Sequence, residues 1–221
     1  MSVKLFPFST ARTPSFSRIG PHNIDILSII FGSLLGSAHL EKDGHGVCFA
    51  FFQSKSNGEF LLWLHSKISS LGYCKSAIPQ IHSRLHFDGS LRYSFRFRTF
   101  TFSSFLWIYD AFYLSHNSIK RKIVPSFLSS YLTPLALAVW IMDDGSYIPN
   151  KGLKFSTNSF TLDEVKFLGS ILSDLYSVSF SIHKTGAINQ YNLYLPKKSF
   201  DSLIPIVKPY FHPSMFYKLG L

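Results

Sequence analysis

The sequence predicts an α+β chain in which one order of elements, helix–strands–helix–strands–helix, is run through twice. Three observations carry this. Apolar residues recur at helical spacing in some segments and alternate at strand spacing in others. Asp88-Gly89 stands between two alternating runs, a strong hairpin signal, and Gly186 stands between two more. An apolar helix rich in small residues occurs early and again after a basic, proline-bearing stretch, and strands follow it both times.

Asp25–Ser37 reads as the first helix, with Gly32 and Gly36 four apart and Ser33 and Ser37 four apart, so that each pair shares a face. Such a face lets another helix backbone come close. Val47–Gln53 reads as a strand. Asn57–Leu71 reads as a helix with Phe60, Leu61, Leu64, Ile68 and Leu71 on its apolar stripe, Asn57 as cap and Gly72 as stop. In the hairpin "RLHFDGSLRYSFRFRTF", Arg92, Ser94, Arg96 and Arg98 share one face, and Tyr93, Phe95 and Phe97 the other. Phe102–Ser115 reads as helix and Ile119–Pro134 as a linker carrying Lys120, Arg121 and Lys122. The order then restarts. Thr133–Met142 is a helix with Thr133 as cap and Pro134 in its first turn. Leu153–Asn158 alternates as a strand, and Thr161–Tyr176 is a helix opened by a capping box, Thr161 with Glu164. Ser179–His183 and Gln190–Leu195 form a hairpin, and Pro196–Lys208 is the last helix. The implied organisation is a basic arm or leader over 1–23, a first half over 24–118, a linker over 119–132 and a second half over 133–221.

Composition narrows the function classes. With 46% hydrophobic and 15% charged residues, the 221-residue chain can bury a substantial core. No apolar run reaches the about 18 residues a membrane span needs. Lys and Arg number 22 against 12 acids, a balance that points first to nucleic acid. Cys48 and Cys74 read as reduced core thiols, and the nine histidines are scattered without zinc-site spacing. Residues 1–23 contain no acid and carry Lys4, Arg12 and Arg18.

The segment "LALAVWIMDDGSY" (135–147) runs an apolar helix into two carboxylates, which oppose the helix dipole unless a cation is near. Its earlier counterpart, "IFGSLLGSAHL" (30–40), places Ser37 where the later one places Asp144. If the two helices pack on their small faces, their ends meet in a site built by both halves.

These two stretches resemble the paired motifs of the LAGLIDADG homing endonucleases and intron maturases, in particular the monomeric two-motif group encoded by mitochondrial group I introns. "YLTPLALAVWIMDDG" (131–145), "STNSFTLDEV" (156–165) and "KPYFHPSMFYKL" (208–219) extend the resemblance over roughly 24–219. It implies two pseudo-symmetric αββαββα halves joined through the motif helices, each with a curved antiparallel sheet that straddles a DNA major groove. The nucleic-acid-binding residues would then be Arg92, Arg96 and Arg98 in the first half, and Lys154, Ser156, Asn158, His183, Gln190 and Asn192 in the second; solvated strand faces are the alternative. The resemblance implies metal-dependent phosphodiester hydrolysis with Mg2+ or Mn2+ at Asp144, supported by Asp143, and with Lys122 and Lys218 activating water or screening the phosphate. Ser37, a neutral residue at the other metal position, departs from the family pattern and puts double-strand cleavage in doubt. The resemblance thus leaves three activities open: a double-stranded DNA endonuclease, an RNA-binding maturase of the group I intron without nuclease chemistry, or a DNA-binding protein that recognises a site without cutting it. It also implies a monomer, no membrane partner, and a mitochondrial origin ahead of a plastid one.

Overall fold

The computed structural model describes residues 13–116 and 119–221; Lys4 and Arg12 lie outside them. The elements run α1 (Ile24–Leu35), β1 (His39–Asp43), β2 (Gly46–Ser54), α2 (Gly58–Ser70), β3 (Ile81–Leu85), β4 (Leu91–Arg98) and α3 (Leu106–Phe112), then the short strands β5 (Tyr113–His116) and β6 (Ile119–Lys122). The order is repeated by α4 (Pro134–Asp144), β7 (Gly145–Ile148), β8 (Gly152–Phe155), α5 (Leu162–Tyr176), β9 (Ser181–Lys184), β10 (Tyr191–Pro196) and α6 (Lys197–Val207). Both four-stranded sheets are antiparallel and equivalent in order, β1-β2-β4-β3 and β7-β8-β10-β9. This is αββαββα twice, as the sequence pattern and the resemblance imply.

The chain divides into two compact units. One holds Ser37–Tyr109 with the chain up to Ile26; the other holds Leu27–Gly36 and Asp110–Leu221. The body of α1 therefore belongs with α4 rather than with the strands that follow it in sequence.

In the first unit, β2 is buried along almost its whole length, and the core is aromatic. Phe51 stacks on Phe97 at 4.6 Å between ring centroids, and Phe49 meets Phe105 edge-on at 5.0 Å. The predicted alternation of β4 holds: Phe97 and Phe95 turn toward α2, while Arg96 and Arg98 are exposed. The described part of the basic arm is tied down. Arg18 Nη1 donates to Thr101 O at 3.0 Å, and the His22 ring bridges the Tyr73 and Ser104 hydroxyls at 3.0 and 2.8 Å. Burial lowers the pKa of His22, so the bridge is made by the neutral ring.

In the second unit, α4 is buried from Ala136 to Met142 on every side, which is why its sequence is apolar all round rather than amphipathic. Thr133 caps it, accepting from Ala136 N–H at 3.1 Å and donating to Ser28 Oγ at 2.7 Å. At Gly32 the backbone of α1 comes so close to α4 that a Cβ would overlap the Ala136 carbonyl. The small-residue face of α1 has this close approach as its purpose. Helix α5 begins with the predicted capping box of Thr161 and Glu164.

Four expectations need correction. Phe102–Ser115 is helical only over Leu106–Phe112 after one 3-10 turn, because Tyr113–His116 leaves the helix to pair with β6. Residues 119–122, expected in a linker, form that partner strand, with Lys120 Nζ lying 3.9 Å from the Tyr113 ring centroid. Asn57 stands at the start of α2, but its side chain donates to Gln53 Oε1 at 3.3 Å instead of capping the helix. Strands β1 and β7 were not foreseen; they are short and take the sheet edges, where neither a long run nor strict alternation is required.

Glu164 also locks β6 to α5. Arg121 Nη1 donates to its Oε2 at 2.6 Å, as do Thr161 N–H at 2.7 Å and Oγ1 at 2.9 Å. Burial alone would raise this carboxyl, but those donors hold its pKa below the ordinary 4.5. A depressed acid contributes stability above its unfolded pKa and loses it as pH falls through the folded value. Resistance to denaturant should therefore fall on acidification below about pH 4.5, and Glu164→Gln should flatten that part of the profile; equal slopes in both proteins would refute the lock. Gly32→Ala should cost about 1–3 kcal/mol by overpacking α1 on α4. Gly186→Ala, where an added Cβ meets nothing within 4 Å, should be neutral in the same measurement.

Candidate active site

The two carboxylates end α4. Asp143 and Asp144 are half-buried, and the chain leaves through Gly145, where a Cβ would overlap the Ile141 carbonyl. A helix end leaves carbonyls without intrahelical donors. Here a lysine supplies the donors: Lys218 Nζ binds Met142 O at 2.6 Å and Asp143 O at 2.9 Å. The end of α1 is treated in the same way, with Lys122 Nζ binding Leu34 O at 2.9 Å and Gly36 O at 3.1 Å. Lys122 comes from the end of β6 and Lys218 from the 3-10 segment Pro213–Leu219. The two lysines singled out in the sequence thus occupy equivalent places on the two motif helices.

The Asp143 carboxylate lies against Gly36, where a Cβ would overlap Oδ2. Glycine is required at 36 because a Cβ there would take the space of the Asp143 carboxylate; its carbonyl, which any residue would offer, accepts from Lys122. Burial first, then the Asp143 charge, push the Asp144 carboxyl up to about 6, against the opposing pull of Lys218 and Lys122. Burial brings Lys122 down to about 8 and lowers Lys218, while the aspartates hold both up. Two acids and two ammonium groups are thus mutually dependent in a poorly solvated place. Asp143, Asp144, Ser146, Ser156, Tyr217 and Lys218 border a cavity of about 340 Å3. A larger hollow of about 830 Å3, on the first unit, is lined by His39, Glu41, His82, Arg96 and Arg98 and contains no pair of carboxylates. The smaller cavity has the groups that chemistry needs.

Ser37 is exposed and accepts from Gln53 Nε2 at 3.3 Å. The amide is in turn bound by Asn57, so the first-motif position is joined to a neutral Ser–Gln–Asn chain. Gln53 escaped sequence reading because it closes an apolar strand and looks like a simple strand end. Among the described residues no three His, Cys, Asp or Glu side chains converge as a ready-made metal cage. Magnesium is commonly held by one or two carboxylates plus substrate phosphates, and Asp143 with Asp144 fits that hard-oxygen donor set.

The expected nucleic-acid residues are distributed as follows. Arg96 is exposed on the open face of β4. Arg98 pairs with Glu41 at 3.0 Å and Arg92 with Asp88 at 3.3 Å. Register places Arg84 opposite Arg92 and His82 opposite Ser94, which adds two residues to that face. Alternation in β3 could have revealed both. In the second unit Lys154, Tyr194 and Ser181 lie in register across one face, with Asn192 and His183 on the next row of that face. Asn192 Oδ1 is a buried acceptor with no hydrogen-bond partner among the described residues. Asn158 donates to Gln190 at 3.2 Å just beyond the strands. Ser156, two residues beyond Lys154, borders the carboxylate cavity, and its N–H lies 3.4 Å from Asp144 O.

The profile of the LAGLIDADG DNA endonuclease family matches residues 27–203. The chain belongs to this family. It is 42% identical over 202 residues to the cytochrome b mRNA maturase bI2 of Debaryomyces hansenii, covering 90% of this chain and 75% of that protein. Identity to the Saccharomyces cerevisiae bI2 maturase is 44%, over 92% of this chain but 49% of that one. The intron-encoded endonuclease ai4 of Dictyostelium discoideum is 40% identical, over 68% of this chain and 94% of its own length. Among solved structures, the homing endonuclease I-WcaI bound to its DNA recognition sequence shares the fold with a TM-score of 0.79 at 24% identity, covering 98% of this chain and 95% of that one. As a LAGLIDADG chain, its two motif helices are α1 and α4. No helix among the described residues is long and apolar enough to cross a membrane.

Lys218→Met should leave two helix-end carbonyls without a donor, at a cost of about 1–3 kcal/mol. It should also remove a charge that lowers the Asp144 carboxyl, so that the group titrates above about 6. Carbon-13 NMR of the aspartate carboxyls checks this, and an unshifted Asp144 would show the ammonium to be electrically irrelevant.

Proposed function

We propose that the chain is a site-specific, double-stranded DNA endonuclease that hydrolyses a phosphodiester bond at the Asp144 end of α4. The observation that carries this reading is the half-buried carboxylate pair at the end of α4, whose main-chain carbonyls Lys218 binds and which borders a cavity, in a chain of LAGLIDADG descent. Asp144, with Asp143 beside it, would hold Mg2+ or Mn2+, which when bound supplies Lewis-acid polarisation of the phosphate and lowers the pKa of a water. The residues of the chain do the rest. The buried ammonium groups of Lys122 and Lys218 favour negative charge building up at the phosphate, in a place where water screens little. The open sheet faces, with Arg84, Arg92, Arg96 and Arg98 on one and Lys154, His183 and Asn192 on the other, take the phosphates and base edges of the duplex. It acts as a monomer, since one chain carries both motif helices. The names of the bI2 relatives support an origin in a mitochondrial intron.

One observation favours a second reading. Ser37 offers a neutral hydroxyl, already bound to Gln53, where a second metal ligand is expected, and two relatives above 40% identity are named mRNA maturases. An RNA-binding maturase needs positive charge and shape but no metal chemistry.

A supercoiled plasmid carrying the intron-less insertion site separates the readings. With Mg2+ or Mn2+ the native chain should cut it, and Asp144→Asn should reduce cutting at least about a hundredfold, as expected for removal of a metal ligand. Ser37→Asp should raise the yield of linear plasmid above that of the native chain. Cutting only by the Ser37→Asp protein would make the native chain a binder and favour the RNA role.

A further inference from the structure

Among the described residues, the two most exposed large apolar side chains occupy matching places. Phe87, 95% exposed, is in the turn that closes β3 and β4, and Ile188, 90% exposed, is in the turn that closes β9 and β10. Turn positions in water favour Gly, Asn, Asp and Ser, and an apolar side chain held there gains nothing from the folded chain itself.

Both turns are fixed rather than slack. His86 N–H donates to Ser90 O at 2.8 Å, and Gly89, at φ +78°, donates to His86 O at 3.0 Å. The Asp88 carboxylate accepts from Ser90 N–H at 2.9 Å and Oγ at 2.6 Å. In the other turn Thr185 N–H donates to Gln190 O at 3.0 Å, Ala187 N–H to Thr185 Oγ1 at 3.2 Å, and Asn189 takes φ +57°. Each apolar side chain is therefore presented outward on a rigid support, with only the His86 ring, 4.0 Å away between centroids, beside Phe87.

Charge identifies the occupant. The strands leading to the Phe87 turn carry His82, Arg84, Arg92 and Arg96 on one face, and those leading to the Ile188 turn carry His183 and Lys184. An apolar tip on a cationic stem suits a partner whose outside is anionic and whose inside is apolar and stacked, which describes duplex DNA. We propose that Phe87 and Ile188 are wedges that press into base steps of the bound duplex, one per hairpin, opening each step and bending the helix there. The inference rests on the DNA reading above. In the second unit, register sets Gly145 level with Phe155, Leu193 and Ile182. The Ile188 turn thus begins three strand spacings, roughly 14 Å, across the sheet from Asp144 and beyond its level. The wedged step is separate from the cleaved phosphate. A wedge reads deformability rather than base edges, so the preferred step is a flexible pyrimidine–purine one.

The test uses a duplex that the native chain selects from a randomised pool without divalent metal, with 2-aminopurine placed at successive positions. Native protein should raise the 2-aminopurine emission at one step per hairpin. Phe87→Ser should abolish one signal and Ile188→Ser the other, each weakening binding about tenfold, as loss of one buried apolar contact does. Ile78→Ser, a control at an exposed apolar residue outside both turns, should change neither. Tight, selective binding with flat 2-aminopurine emission, or signals untouched by both serine variants, would overturn the wedge while leaving the DNA reading intact. Failure to select any duplex would remove the DNA reading and the wedge with it. So would loss of binding to an acidic protein partner, rather than to DNA, in the two serine variants.

Discussion

The rest of the site depends on one interaction, the meeting of a buried lysine ammonium with the open carbonyls of a buried helix end. A helix buried all round cannot pass its terminal carbonyls to water, and each left unpaired carries a desolvation cost. Lys218 answers this for α4 and Lys122 for α1. Once the ammonium groups are there, carboxylates at the same helix end are tolerated, although the helix dipole opposes them. The acids in turn raise the pKa of both lysines against the lowering effect of burial. The capping lysines and the carboxylates thus share one helix end and influence each other's charge.

That arrangement dictates small residues nearby. Gly32 lets α1 approach the Ala136 carbonyl, and Gly36 leaves space for the Asp143 carboxylate. Any side chain at either position would push the helix away from the lysines that cap it. The β5–β6 hairpin belongs to the same logic, since β6 delivers Lys122 and is fastened through Arg121 to Glu164. The sheets are less constrained. Their inner faces are fixed by stacked aromatics such as Phe51 on Phe97 and Trp140 on Phe155. Their outer faces are free to carry whatever charges a polyanion requires.

Ser37 shows how far the two motifs have diverged. Around it the helix, the glycine and the capping lysine match those of α4, and Ser37 stands where α4 carries Asp144. A hydroxyl bound to Gln53 leaves the packing of that helix end undisturbed, so the fold gives no reason for the acid to return.

The sequence by itself determined the repeated order of elements, the buried helices, the capping box of α5 and the carboxylates at the end of α4. These follow from local periodicity, capping chemistry and the cost of placing acids at a helix C-terminus, all of which act over a few residues. It also marked Lys122 and Lys218, through family resemblance and their equivalent places. Only the tertiary structure decided that those lysines bind main-chain carbonyls, that Ser156 borders the cavity, that Gln53 binds Ser37, and that His82 and Arg84 join the face of Arg92 and Arg96. Only it decided that residues 119–122 form a strand and that β1 and β7 complete the sheets. The reason is common to all of these. Each depends on a partner dozens of residues away, and short polar segments have no local preference strong enough to announce which partner they will meet.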